Sequence, residues 1–191
     1  MLQTHKAKTC RQCGALFTPM QPMQRVCGLS CALAQSRTKQ AKIAEKATRA
    51  DLRERKEKLK TKSQWLREAQ TAFNSYIRAR DKGKPCISSG RMEQDRFTGG
   101  HFDAGHYRST GAAAHLRFCT WNCHAQSKHD NRDLSGNIVE YRKRLIDRIG
   151  LDRVEALEND NSIRKFDIEY LKRVKRIFTK RARITNARFD R

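Results

Sequence analysis

The sequence predicts an α+β protein, mostly helical, on three observations. Four cysteines crowd the N-terminal 32 residues. A stretch from Ala32 to Lys62 contains neither Gly nor Pro. A Gly-, His- and Asn-rich segment lies between stretches of helical periodicity further on. The chain has 191 residues, enough for one ordinary domain and a small one. The composition shifts divide it into a zinc-binding module over 1–32, a basic helical linker over 33–62, and a domain over 63–191.

In the N-terminal module, Cys10-x2-Cys13 and Cys27-x3-Cys31 stand thirteen residues apart. Two tight turns, each presenting two thiolates, suit the tetrahedral preference of zinc, and four soft ligands close the cage, so the expected role is structural. Gly14 and Gly28 are placed to let the backbone bend. Metal binding would supply folding energy that so short a piece cannot draw from a core.

The linker is built of strong helix formers. Its large apolar residues, Leu33, Ile43, Leu52 and Leu59, form no continuous heptad seam, which favours a solvated single helix over a coiled coil. Along it run Arg37, Lys39, Lys42, Lys46, Arg49, Arg53, Lys56 and Lys60, opposed by Glu45, Asp51, Glu54 and Glu57. These cations, with Arg108 further on, are expected to contact phosphates without reading bases; the alternative is a hydrated spacer.

Beyond it, Ser63 is read as the cap of a helix carrying Trp65, Leu66, Ala69, Phe73, Tyr76 and Ile77. Short strands are expected near Phe102–Tyr107 and His115–Phe118. Asn137 and Glu140 suggest a capping box for a helix through Tyr141 and Leu145 that Gly150 stops. A short helix over Leu151, Val154 and Leu157 follows. A last helix is expected from about Ser162, with Ile163, Phe166, Tyr170, Val174, Ile177 and Phe178 on one face.

Charge narrows the function. The chain has 42 Lys+Arg against 20 Asp+Glu, a formal net charge of +22. Such a surplus opposes compaction and points to a polyanionic partner, nucleic acid before an anionic membrane. No apolar run approaches the roughly 20 residues that span a bilayer. The opening Met1–Lys6 lacks a secretory apolar region, so a reducing cytoplasm is expected. The seven cysteines, an odd number, then read as thiols or metal ligands rather than as disulfides.

Five of the six histidines fall between His101 and Asn137. Phosphodiester hydrolysis needs a base active near neutral pH and a divalent cation at the scissile phosphate. One imidazole with oxygen ligands from Asp or Asn would meet both needs. The run Asp103-Ala-Gly-His106-Tyr-Arg, His115-Leu-Arg-Phe118, Asn122, Ser135-Gly-Asn137 and Tyr141-Arg resembles the phage recombination protein family NinG (Rap) of lambdoid phages. The likeness extends to the cysteine quartet, Gln64–Gln70, Lys84–Ser88 and Leu145–Gly150.

That resemblance implies a structure-specific endonuclease with a ββα-metal (HNH-like) hairpin–helix core, acting on Holliday junctions and D-loops. It makes His106 the general base and Asn122 the residue that orients the loop. Asn131 becomes a metal ligand, with Asp103 and His124 as further ligands for Mg²⁺ or Mn²⁺. His106, Asn122 and Asn131 are expected to converge on one cation at a phosphate. His101, His115 and His129 receive no role and are read as surface or loop residues. The family pattern also implies a second zinc knuckle, but its four positions here hold Cys86, Ser89, Ser127 and Asp130. Either Cys86, Cys119, Cys123 and a histidine form a displaced site, or packing has replaced the metal; packing is the expectation.

The competing reading is a non-catalytic DNA-binding recombination accessory protein whose nuclease site has decayed. Branched DNA, phage or host recombination proteins, and a second copy docked through the apolar C-terminal helices are the expected partners, in the cytoplasm of a bacterial host.

Overall fold

The computed structural model describes residues 6–92 and 102–189, so His101 lies outside the described residues. The chain forms two compact units, 1–60 and 61–191. Among the described residues, no helix is long and apolar enough to cross a membrane.

In the first unit, β1 (Lys8–Thr9) pairs antiparallel with β2 (Leu16–Phe17), Lys8 opposite Phe17. The turn between them carries Cys10 and Cys13. It closes with Cys10 N–H donating to Ala15 O (2.8 Å) and Gly14 N–H to Cys10 O (2.9 Å). Gly14 has φ +77°, where a side chain would be strained. Gly28, at φ −166°, is extended backbone that any residue adopts, which corrects the expectation placed on it.

Helix α1 (Leu29–Lys58) starts earlier than expected, and Cys31 lies in its first turn. The boundary drawn between 32 and 33 therefore falls inside a helix. No residue of α1 is buried, and Leu33, Ile43 and Leu52 are each at least half exposed, as a solvated helix without a seam requires.

The second unit opens with α2 (Lys62–Arg80), capped by Thr61 rather than Ser63. Thr61 Oγ1 accepts from Gln64 N–H (3.3 Å), and Gln64 Oε1 accepts from Thr61 N–H (2.8 Å), a reciprocal capping box. Its face of Trp65, Ala69, Phe73 and Ile77 packs against Leu171, Val174 and Phe178 of α5 (Ile168–Phe189). Phe73 meets Phe178 edge-on at 4.9 Å.

Helix α5 begins at Ile168, not near Ser162, because the Asp167 carboxylate accepts from Tyr170 N–H (2.6 Å) and caps it there. Ile163 is consequently 94% exposed instead of lying on the apolar face. Val174 and Phe178 of that face are buried against α2, while Ile177 is exposed.

Between the helices, β3 (Asp103–His106) pairs antiparallel with β4 (Cys123–Gln126) in the register Asp103–Gln126, Gly105–His124 and His106–Cys123. The strand expected at His115–Phe118 is a 3-10 turn, Ala114–Leu116. Residues two apart in a strand share a face, whereas Leu116 and Phe118 enter different cores. The second core joins Ile87, Tyr107, Ala113 and Leu116 to Tyr141 and Leu145 of α3 (Ile138–Ile149) and to Val154 and Leu157 of α4 (Leu151–Asn159).

No capping box forms at α3. Asn137 sits at φ 43° and donates to Asp130 Oδ1 (2.9 Å), while Glu140 pairs with Lys143.

Asp81 ties α2 to the hairpin. Its buried carboxylate accepts from Arg80 (2.9 and 2.6 Å), Lys84 (3.2 Å) and the Ala125 N–H (3.1 Å). Burial raises its pKa, but the Arg80 guanidinium and the Ala125 N–H outweigh burial and hold it at about 2, below the ordinary 3.8. A depressed carboxyl pKa stabilises the fold above about pH 4, and that contribution disappears as pH falls towards 2. Asp81→Asn is expected to cost about 2 kcal/mol at pH 7. The gap from wild type should close near pH 2, measured by urea unfolding across that range.

Candidate functional site

The four N-terminal thiols gather as a metal centre would require, with all sulfurs within 4.8 Å of one another. Cys13 and Cys27 sulfurs lie 3.7 Å apart, and those of Cys27 and Cys31 3.5 Å apart. Zinc–sulfur bonds of about 2.3 Å in a tetrahedron set sulfurs roughly 3.8 Å apart, so a metal ion such as zinc fits this group. The hydrogen bond from the Cys13 backbone chiefly lowers the Cys10 thiol to about 6, whereas the side-chain hydrogen bond with Cys27 pushes Cys31 up to about 12. The thiols share protons that a bound cation would displace.

On the hairpin, His106 is largely buried, its ring stacked near Phe73 with centroids 6.0 Å apart. Its Nε2 lies 2.9 Å from Arg117 O, and a carbonyl only accepts, so Nε2 carries the hydrogen and Nδ1 holds the lone pair. Nδ1 is 3.8 Å from the Cys123 sulfur. Burial lowers the imidazole pKa below its ordinary 6.5 against the opposing pull of the Arg117 carbonyl, so the ring is neutral at pH 7.

Asn122 is fully buried just before β4. Its Nδ2 donates to Arg108 O (2.9 Å) and its Oδ1 accepts from Arg108 N–H (2.8 Å). The carboxamide thus closes the loop between the strands.

Asn131 lies in one wide helical turn, His129–Asp133, and its Nδ2 donates to Asp103 Oδ2 (3.1 Å). Arg132 also grips both Asp103 oxygens, at 2.8 and 3.1 Å. Strand alternation puts Asp103 on the face of Gly105 and His106 on the opposite one. The structure therefore brings Asp103 and Asn131 together, but His106, Asn122 and Asn131 do not converge on one point. Backbone partners occupy Asn122, and the pleat turns His106 away.

His124 faces inward, 3% exposed, with Nδ1 3.3 Å from the Tyr141 hydroxyl, which itself donates to Gly105 O (3.1 Å). Burial, reinforced by Arg80, lowers its pKa to about 3. It braces the hairpin rather than offering a ligand. Gly105 is required there because a Cβ would collide with the Gln126 amide, which donates to Ser88 Oγ (2.7 Å) and Gly136 O (2.6 Å).

Arg108 donates to the Leu157 and Asp160 carbonyls and to Asn161 Oδ1, holding the end of α4 instead of presenting itself to phosphate. His115, far from being a surface residue, places Nε2 3.0 Å from Asp160 O with its side chain 9% exposed. His129 is exposed and pairs with Asp133.

The four degenerate knuckle positions do meet. Ser127 N–H donates to the Cys86 sulfur (3.2 Å), and Cys86 and Ser127 both donate to Asp130 Oδ2 (3.3 and 2.5 Å). Burial raises the Asp130 pKa, but donors from Ser127 and Asn137 hold it at about 2. A hydrogen-bonded carboxylate joins these turns, which supports packing in place of metal here. Cys123 is buried in the α2–α5 core and Cys119 borders the other core. Among the described residues, only the N-terminal quartet groups three or more His, Cys, Asp or Glu ligands. The parts played by Arg117 and Arg132 escaped sequence reasoning: the first acts through its carbonyl, which no side-chain pattern reveals.

These features define a class, a basic and mostly helical protein headed by a four-cysteine cluster. The family model described as bacteriophage lambda NinG protein matches residues 2–187, and the chain belongs to that family. It is 38% identical over 178 residues to protein ninG of Escherichia phage lambda, and equally to that of Salmonella phage P22, covering 86% of this chain and 85% of each relative. Protein ninG of Enterobacteria phage H19B is 45% identical over 121 residues, 63% of this chain and 58% of that protein. No solved structure matches.

Metal analysis of the purified protein should find one zinc per chain. The triple variant Ser89→Cys, Ser127→Cys, Asp130→Cys should gain a second, since the four positions already face one another. Two zinc ions in the wild type would contradict the metal-free cage.

Proposed function

We propose that the protein is a metal-dependent endonuclease with an HNH-type core that cuts branched DNA such as Holliday junctions and D-loops in the cytoplasm of the bacterial host. The observation that carries this reading is the state of His106. The ring is neutral, its Nε2–H is fixed by a carbonyl, and its Nδ1 lone pair, 3.8 Å from the Cys123 sulfur, is the position that would take a proton from water. Asn122 supports it as a positioning residue, closing the loop that delivers the Arg117 carbonyl.

Asp103 and Asn131 supply the oxygen donors that a hard cation such as Mg²⁺ or Mn²⁺ favours. Bound there, the ion would stabilise charge on the leaving oxygen, provided that DNA binding brings it and His106, which face opposite sides of β3 in this structure, to one phosphate. The net charge of +22 favours a phosphate-rich partner.

One observation favours the second reading, a non-catalytic DNA-binding accessory protein: Arg132 already neutralises Asp103. A labelled four-way junction incubated with Mg²⁺ separates the two. Wild type should cut it, and His106→Ala should cut about 10² to 10⁴ times more slowly while still binding. Because the base acts only when neutral and burial lowers its pKa, the rate should fall on the acid side at a lower pH than an ordinary imidazole, titrating at about 6.5, would give. Binding without cleavage in the wild type would overturn the enzyme reading.

A further inference from the structure

Within the first unit, an open groove of about 850 Å³ runs between the cysteine module and the N-terminal half of α1. Arg11 and Arg25 line it from the module, where Arg11 N–H donates to Arg25 O (3.1 Å) and so joins the two cysteine-bearing segments. Lys39, Lys42 and Lys46 line it from the helix. Their spacing of three and four residues puts them on one helical face. All five are exposed, and no carboxylate lines the groove.

The two halves of α1 differ sharply in charge. No Asp or Glu precedes Glu45 anywhere in the chain. From Glu45 onward the helix is laced with ion pairs: Arg49–Glu45 (2.7 Å), Arg55–Asp51 (2.9 Å), Lys58–Glu54 (2.6 Å) and Arg53–Glu57 (3.9 Å). A phosphate approaching the C-terminal half meets carboxylates beside every paired cation. One entering the groove meets cations alone.

We infer that this groove, built by Arg11 and Arg25 together with Lys39, Lys42 and Lys46, is a binding site for the phosphate backbone of DNA, and that the ion-paired stretch of α1 from Arg49 to Lys58 is not. The inference deepens the nucleic-acid part of the function proposed above and rests on it. It narrows a contact surface spread over the whole helix to its first half, and it adds two arginines of the module. The cysteine cluster then sets the angle of one wall of the groove as well as holding its own fold.

Binding of a short fluorescein-labelled DNA duplex by the full-length, zinc-loaded protein tests this, read by anisotropy over a range of salt in Mg²⁺-free buffer so that cleavage plays no part. Each phosphate contact removed lowers the steepness of log K against log salt by about 1. Arg25→Ala with Lys42→Ala should therefore lower it by about 2, while Arg55→Ala with Lys58→Ala, both ion-paired, should leave it nearly unchanged. Zinc content is measured in parallel. Should Arg25→Ala lose metal, Lys39→Ala with Lys42→Ala carries the same expectation without touching the module. Equal losses from the two regions, or a larger loss from the distal pair, overturn the groove. A wild type that binds no DNA overturns both the groove and the proposed function, whereas binding without junction cleavage leaves the groove standing.

Discussion

The Asn122 carboxamide holds both the N–H and the carbonyl of Arg108, and the second unit is organised around that two-way clamp. It closes the excursion between β3 and β4, which brings Arg117 O to the His106 ring. The loop also sends Tyr107 and Leu116 into one core and Phe118 into the other. A buried carboxamide can do this because it carries one donor group and one acceptor in a fixed plane, matching the complementary pair of a peptide group. Without it, two cores, the hairpin and the imidazole would lose their common reference.

Much of this was legible in the sequence. The cysteine spacing shows a pair of turns, and a run without Gly or Pro shows a helix. The stripe Trp65, Ala69, Phe73, Ile77 shows a buried face, because such patterns express local geometry directly. The misreadings share one cause, competition between equivalent local signals. Thr61 and Ser63 can both cap α2, and Thr61 prevails because only it finds Gln64 three residues on. Asn137 and Glu140 match a capping box, yet Asn137 is drawn to the buried Asp130. A buried charge in the interior draws a donor more strongly than a cap at the surface does.

The same competition decides the site residues. Arg108 looks like a phosphate contact until the carbonyls at the end of α4 claim it. His124 looks like a ligand until the pleat turns it towards Tyr141. Composition names the residue type, but only the register of β3 against β4 determines which face it occupies. The Cys86, Ser89, Ser127 and Asp130 positions add a related lesson. A carboxylate satisfied by hydrogen bonds can hold two turns together where thiolates and an ion would otherwise be needed, provided that each oxygen has donors.

The most direct test of the account is the protonation state of His106, read by nitrogen NMR of its ring across pH. The account predicts a hydrogen on Nε2, none on Nδ1, and a titration midpoint below 6.5. A hydrogen on Nδ1, or a midpoint at or above that value, would contradict it, because the Nδ1 lone pair would then be taken or the burial that lowers the pKa would be absent.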